Sequence, residues 1–125
     1  MESEFIEWED VQRLHERSLT EHGGTAGLRD AGGLESAIHQ PKADFYYGQA
    51  DLFGVAAAYA FHIAQAQAFL DGNKRTAIGA ALVFLELNGI DAAAPTDELY
   101  DAMIAIAEKR LDKAGLAALF RRLFT

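Results

Sequence analysis

Apolar residues fall along this chain in helical spacing, interrupted by short polar clusters. Trp8, Val11 and Leu14 lie on one side of a segment over 9–22 that Gly23-Gly24 ends. A polar, glycine-rich loop over Thr25–Gly33 follows, then a short helix over Leu34–Gln40 that Pro41 is expected to stop. From Pro41 to Asp51 no helical period is visible, and Phe45, Tyr46, Tyr47 and Gly48 suggest an ordered surface loop. Residues 52–68 are apolar nearly all round, which marks a central helix. Residues 73–88 form the next, with Ile78, Leu82 and Leu85 at i, i+4 and i+7 and Gly89 just past the end. Thr96 is suited to cap a helix over 97–110, where Asp97 and Glu98 fit the positive end. Asp112 is suited to cap the last helix, striped by Leu116, Leu119, Phe120 and Leu123 and closed by Arg121 and Arg122. A residual strand pair involving Ile6 or Ile90 is the one β expectation. The pattern predicts an all-α compact bundle of about six helices, with residues 1–125 as a single domain.

Composition supports that class. Half the residues are hydrophobic, with alanine and leucine outnumbering the β-branched types that suit strands. No apolar run approaches the roughly 20 residues of a membrane span, and Met-Glu-Ser-Glu lacks the basic start of a signal peptide. Neither membrane insertion nor export is expected. The absence of cysteine excludes disulfides and thiolate zinc sites and suits a cytoplasmic location. A net charge of −8 argues against direct nucleic-acid binding and leaves a protein partner easier to accommodate.

The chemistry concentrates between the two central helices, in Gln67-Ala-Phe-Leu-Asp71-Gly72-Asn73-Lys74-Arg75-Thr76. A helix that starts behind a glycine presents unpaired amides and a positive dipole end, the ingredients of a phosphate site. Gly72 permits close backbone approach, and Asn73 offers an amide and tolerates a turn. Lys74 and Arg75 occupy a first turn where the dipole disfavours cations, which suggests an anionic ligand, although a solvated basic edge is a common alternative. Asp71 is either an N-cap or a hard oxygen ligand for Mg²⁺ shared with phosphates; the company it keeps favours the metal. Phe69 reads as a core anchor. No Walker loop is present.

This segment resembles the central motif of the Fic/Doc family, His-x-Phe-x-Asp/Glu-Gly-Asn-Lys/Gly-Arg, with Gln67 where the family carries its catalytic histidine. Leu14-His15, His22-Gly23-Gly24, Gly27-Leu28-Arg29-Asp30, Gly33-Leu34-Glu35-Ser36-Ala37 and Phe84-Leu85-Glu86-Leu87-Asn88-Gly89 extend the resemblance to the Doc (death-on-curing) toxin branch. It implies a toxin of a toxin–antitoxin pair that uses Mg²⁺ and ATP to transfer a phosphoryl group to a threonine of elongation factor Tu. Asp71 would hold Mg²⁺, and Gly72, Asn73, Lys74 and Arg75 the phosphates. An antitoxin protein is the other implied partner. The family also implies that Pro41–Tyr47 lies where a flap docks the target by main-chain pairing; an ordinary helix connector is the equal alternative.

Gln67 stands at the catalytic position. An imidazole accepts a proton near neutral pH, whereas an amide only hydrogen-bonds, so roughly 10² to 10⁴ in rate is expected to be missing. His62, about 140° round the same helix, faces elsewhere. His15, His22 and His39 lie in other elements. Gln67 fits a family member that has lost its base, or an active chain altered to glutamine. Two further readings stay open: a catalytically dead Fic/Doc binding module, and an AMP-transferring Fic enzyme. The second is disfavoured because Ile78 stands where those enzymes usually carry a second arginine.

Overall fold

The computed structural model describes residues 4–93 and 96–125. Six helices follow one another: α1 (Trp8–His22), α2 (Ala31–Tyr46), α3 (Leu52–Ala66), α4 (Asn73–Leu87), α5 (Thr96–Ala107) and α6 (Lys113–Phe124). Among the described residues there is no strand, so the expected all-α bundle stands. No described helix is long and apolar enough to cross a membrane.

α3 is the axis. Val55, Ala56, Ala57, Ala58, Tyr59, Ala60 and Ile63 are wholly buried along it, packed by α2, α4, α5 and α6. Alanine dominates because small side chains let neighbouring backbones approach closely while Phe84, Leu85, Leu116 and Phe120 fill the remaining space. Each large side chain fully buried in this way stabilises by roughly 1.5–3 kcal/mol.

Three helices begin on Asp-x-x-Gly. The carboxylates of Asp30, Asp51 and Asp112 accept from the amides of Gly33, Gly54 and Gly115 at 2.9, 2.8 and 2.8 Å. Each cap satisfies one of the donors that a helix start leaves without a partner. The expected cap at Asp112 is therefore in place. The expected cap at Thr96 cannot be followed, because its side chain and residues 94–95 lie outside what is described; α5 itself spans Thr96–Ala107.

Pro41 does not stop its helix. α2 runs on through it to Tyr46, which corrects both the expected end at Gln40 and the loop expected from Pro41. The ring costs one intrahelical bond and a carbonyl clash, about 3 kcal/mol in an ordinary interior. Tertiary packing offsets it. Pro41 is itself buried, Phe45 stacks edge-on against Phe5, and Asp44 receives Lys113 Nζ at 2.7 Å. The flap expectation falls with the loop, since the amides of a helix are not free to pair with a target strand.

The expected strand at Ile6 or Ile90 is also absent. Ile6 is buried, and its amide and carbonyl both bond the Tyr59 hydroxyl, at 3.0 and 3.2 Å. Burial raises the Tyr59 phenol far above its ordinary value and outweighs the donor from the Ile6 amide. Ile90 instead closes α4, donating to the Leu85 carbonyl at 2.9 Å.

Candidate functional site

Between α3 and α4 the chain turns through residues 67–72 with two residues in the left-handed region. Gln67 (φ 46°, ψ 44°) caps the end of α3, and Gly72 (φ 79°) caps the start of α4. A left-handed glutamine is strained and is held from outside: Arg29 Nε donates to its carbonyl at 3.0 Å. The loop preceding α2 flanks the turn. The Arg29 and Asp30 amides donate to the Ala68 carbonyl at 2.8 and 3.2 Å, and the Leu70 amide to the Gly27 carbonyl at 3.0 Å. Leu28 and Phe69 thus form an isolated antiparallel bridge.

All six sequence-predicted residues, Gln67, Asp71, Gly72, Asn73, Lys74 and Arg75, line one cavity of about 240 Å³. Its far wall comes from α5, through Tyr100, Met103, Ile106 and Ala107. The Arg75 guanidinium lies over the Tyr100 ring, 5.7 Å from its centroid, while the Arg75 side of the helix stays open to solvent.

α4 opens without a side-chain cap. Asp71 precedes the cap residue: its Oδ1 accepts from the Gly72 amide at 2.9 Å and its Oδ2 from Thr25 at 3.3 Å. The carboxylate remains exposed at the cavity edge. Asn73 has a different immediate task. Its amide group donates to the Phe69 carbonyl at 2.9 Å and accepts from the Phe69 amide at 3.0 Å, which braces the turn. Its backbone amide faces the same helix start. Phe69 is buried as expected, and its ring stacks on His15, which no local pattern places here.

The charge distribution is uneven. Arg13, Arg17, Lys42, Arg110, Lys113, Arg121 and Arg122 each face a carboxylate within salt-bridge distance. Among the described residues Arg29, Lys74, Arg75 and Lys109 do not. Lys74 and Arg75 line the cavity and Arg29 holds Gln67. Lys109 lies in an adjoining groove that shares Gln65 and Ile106 with the cavity. In a chain of net charge −8, two of the four described cations without a carboxylate partner thus line this one cavity.

His62 is not part of it. The ring is half-buried against α6, with Nε2 3.1 Å from Lys113 Nζ. Burial and then the neighbouring Lys113 charge hold its pKa below the usual imidazole value, and Asp44 pulls the other way. Ile78 is buried in the core and offers nothing to the cavity. The α5 wall and Arg29 escaped sequence reasoning. Leu99, Met103 and Ile106 carry only the periodicity of a core face, and Arg29 stands 38 residues from the glutamine it holds.

The turn between α3 and α4 thus brackets a helix start that has no side-chain cap and is lined by Lys74 and Arg75. The Fic/DOC family model matches residues 5–85. The chain is 34% identical over 117 residues to the Protein kinase doc of Escherichia phage P1, covering 93% of this chain and 92% of that protein. It is 38% identical over 120 residues to the Toxin Doc of Mycolicibacterium smegmatis, covering 93% and 90% respectively. The chain belongs to the Fic/Doc family and is a homologue of Doc toxins.

Proposed function

We propose that this chain is a Doc-type toxin whose site binds Mg²⁺–ATP and whose transfer of the γ-phosphoryl group to a protein hydroxyl is disabled by Gln67. The observation that carries the reading is the uncapped start of α4, with Lys74 and Arg75 free of carboxylates on its first turn. The open amides and the positive dipole end take phosphate oxygens, and the two side chains neutralise the remaining charge.

Asp71 suits a shared Mg²⁺ better than a resident one. Among the described residues no group of three or more His, Asp or Glu could hold a metal by itself. Mg²⁺ commonly takes one or two carboxylates and completes its shell with substrate phosphates and water, which a single exposed Asp71 allows. When bound, the ion would supply charge neutralisation to the phosphates, with Asp71 as its protein ligand.

In the transfer a target hydroxyl oxygen forms a bond to the γ-phosphorus. The bond to the β–γ bridging oxygen breaks, ADP leaves, and the hydroxyl proton passes to a base. Gln67 orients that hydroxyl and cannot take the proton. Positioning and charge stabilisation carry most of phosphoryl transfer, so the cradle keeps its binding when the base is gone. The family supplies the partners of this reading: elongation factor Tu in the cytoplasm as target, and an antitoxin protein that restrains the toxin. AMP transfer has no support here, because the buried Ile78 cannot contact a phosphate.

Calorimetric titration of the unaltered chain with ATP, with and without Mg²⁺, tests the reading. Mg²⁺-dependent binding is expected. No binding of ATP, equal binding with and without Mg²⁺, or binding undisturbed by Asp71→Asn would remove it.

A further inference from the structure

The inner face of α1 supports the phosphate loop from behind. His15 is buried, 6% exposed, and reaches the loop twice. Its Nε2 lies 2.8 Å from the Asp71 carbonyl oxygen. Its ring lies 3.7 Å from the Phe69 ring, with 11° between the planes. A carbonyl only accepts, so the proton in this contact sits on Nε2. One turn along α1, Ser18 is buried and its hydroxyl has no partner. A Cβ added to Gly72 would stand 3.4 Å from that hydroxyl and 3.5 Å from the His15 ring. The α1 face therefore lies in van der Waals reach of the residue that starts α4, whose positive φ favours glycine.

We infer that His15 is a positioning residue for the phosphate loop, fixing the Asp71 main chain by its Nε2–H while its ring clamps Phe69. This rests on the phosphate-site reading above and deepens it. Asp71 has two other tethers, to the Gly72 and Thr25 amides, and both end on its side chain. Among the described residues only the His15 contact fixes its backbone from another helix. A carboxylate that must turn from Thr25 toward a cation needs a main chain that stays put while it turns. The same bond sets the peptide plane between Asp71 and Gly72, the residue from which α4 starts. Phe69 is secured on both sides, its ring by His15 and its backbone by Asn73. Residues 69–73 are in effect a rigid insert between α1 and α4.

Two substitutions separate the two contacts. His15→Phe keeps an aromatic ring against Phe69 and loses the donor; His15→Gln keeps an N–H donor and loses the ring. Each variant and the unaltered chain are titrated with Mg²⁺–ATP, melted thermally, and followed by amide hydrogen exchange over residues 70–75. His15→Phe is expected to bind about tenfold more weakly and to exchange faster in this segment, with its melting temperature little changed. His15→Gln is expected to recover most of the affinity. Equal affinity and equal exchange in all three proteins would overturn the inference, as would His15→Gln performing no better than His15→Phe. Failure of the unaltered chain to bind Mg²⁺–ATP removes the phosphate-site reading instead. The exchange comparison still decides the role of His15 in that case.

Discussion

The starts of α3 and α4 use the same residue type for opposite ends. At α3, Asp51 caps the helix through the Gly54 amide, and its carboxylate also takes Arg121 Nε and Nη2 at 2.9 and 3.0 Å. Arg121 and that cap hold the Asp51 carboxyl below its ordinary pKa, against the effect of burial. At α4, Asp71 sits one position too early to cap, and the cations beside it have no carboxylate partner. One start is saturated by its own protein. The other is left open, and the place of the aspartate, at the cap in α3 and one residue before it in α4, decides which.

Reversing the charge at the open start tests this contrast most severely. Lys74→Glu with Arg75→Glu is expected to weaken Mg²⁺–ATP binding by roughly 100-fold, since two charge-assisted phosphate contacts become repulsive. Its stability should move the other way. Acidic residues on a first helical turn contribute about 0.3–1 kcal/mol each through the dipole. A variant that melts higher and binds worse would show that the native cations serve a ligand. Loss of both together would show that they serve the fold.

Gly72→Val tests the geometry of the same start. A β-branched residue at φ 79° is strained by about 1–2 kcal/mol, and its side chain would press on Ser18 and His15. Denaturant unfolding should record that loss, together with weakened nucleotide binding. At the saturated start, Asp51→Ala is expected to cost about 1 kcal/mol through the lost cap and to leave nucleotide affinity unchanged. A drop in affinity there would dissolve the distinction between the two helix starts.

How much of this was legible in the sequence follows from range. Asp112, Gly89 and the 67–76 segment act on residues a few positions away, so their patterns reveal them. Pro41 misleads because its effect is decided by Phe5, Lys113 and the core beneath α2, all distant along the chain. The neighbours of Asn73 point it to phosphates; where its side chain points depends on its bonds to Phe69, which the folded turn creates. His15 stands 56 residues from Asp71, and nothing in its spacing marks the contact. The resemblance flagged Leu14-His15 and Arg29 without giving either a role.

The smallest expected effect is a pH dependence away from the site. His62 has a lowered pKa in the fold, with Lys113 and Asp44 as its charged neighbours. Between that value and the ordinary imidazole value of about 6.5, the unfolded chain binds more protons than the folded one. Stability should therefore fall as pH drops below about 6.5, and His62→Gln should flatten the slope. Asp44, whose pKa is lowered by Lys113 and Gln40 against its burial, contributes stability above the usual carboxylate range. That contribution is lost only as pH falls below it. Denaturation midpoints from about pH 8 to about pH 5.5 isolate the histidine, and nucleotide binding through the open start serves as the internal control.

The central claim is that the cradle is intact and the base is missing. Gln67→His and the unaltered chain, each incubated with Mg²⁺–ATP and elongation factor Tu, are compared by the intact mass of the target. A phosphate adduct from Gln67→His alone is the predicted result. Equal phosphorylation by the unaltered chain, an AMP adduct, or no adduct from either protein would contradict it.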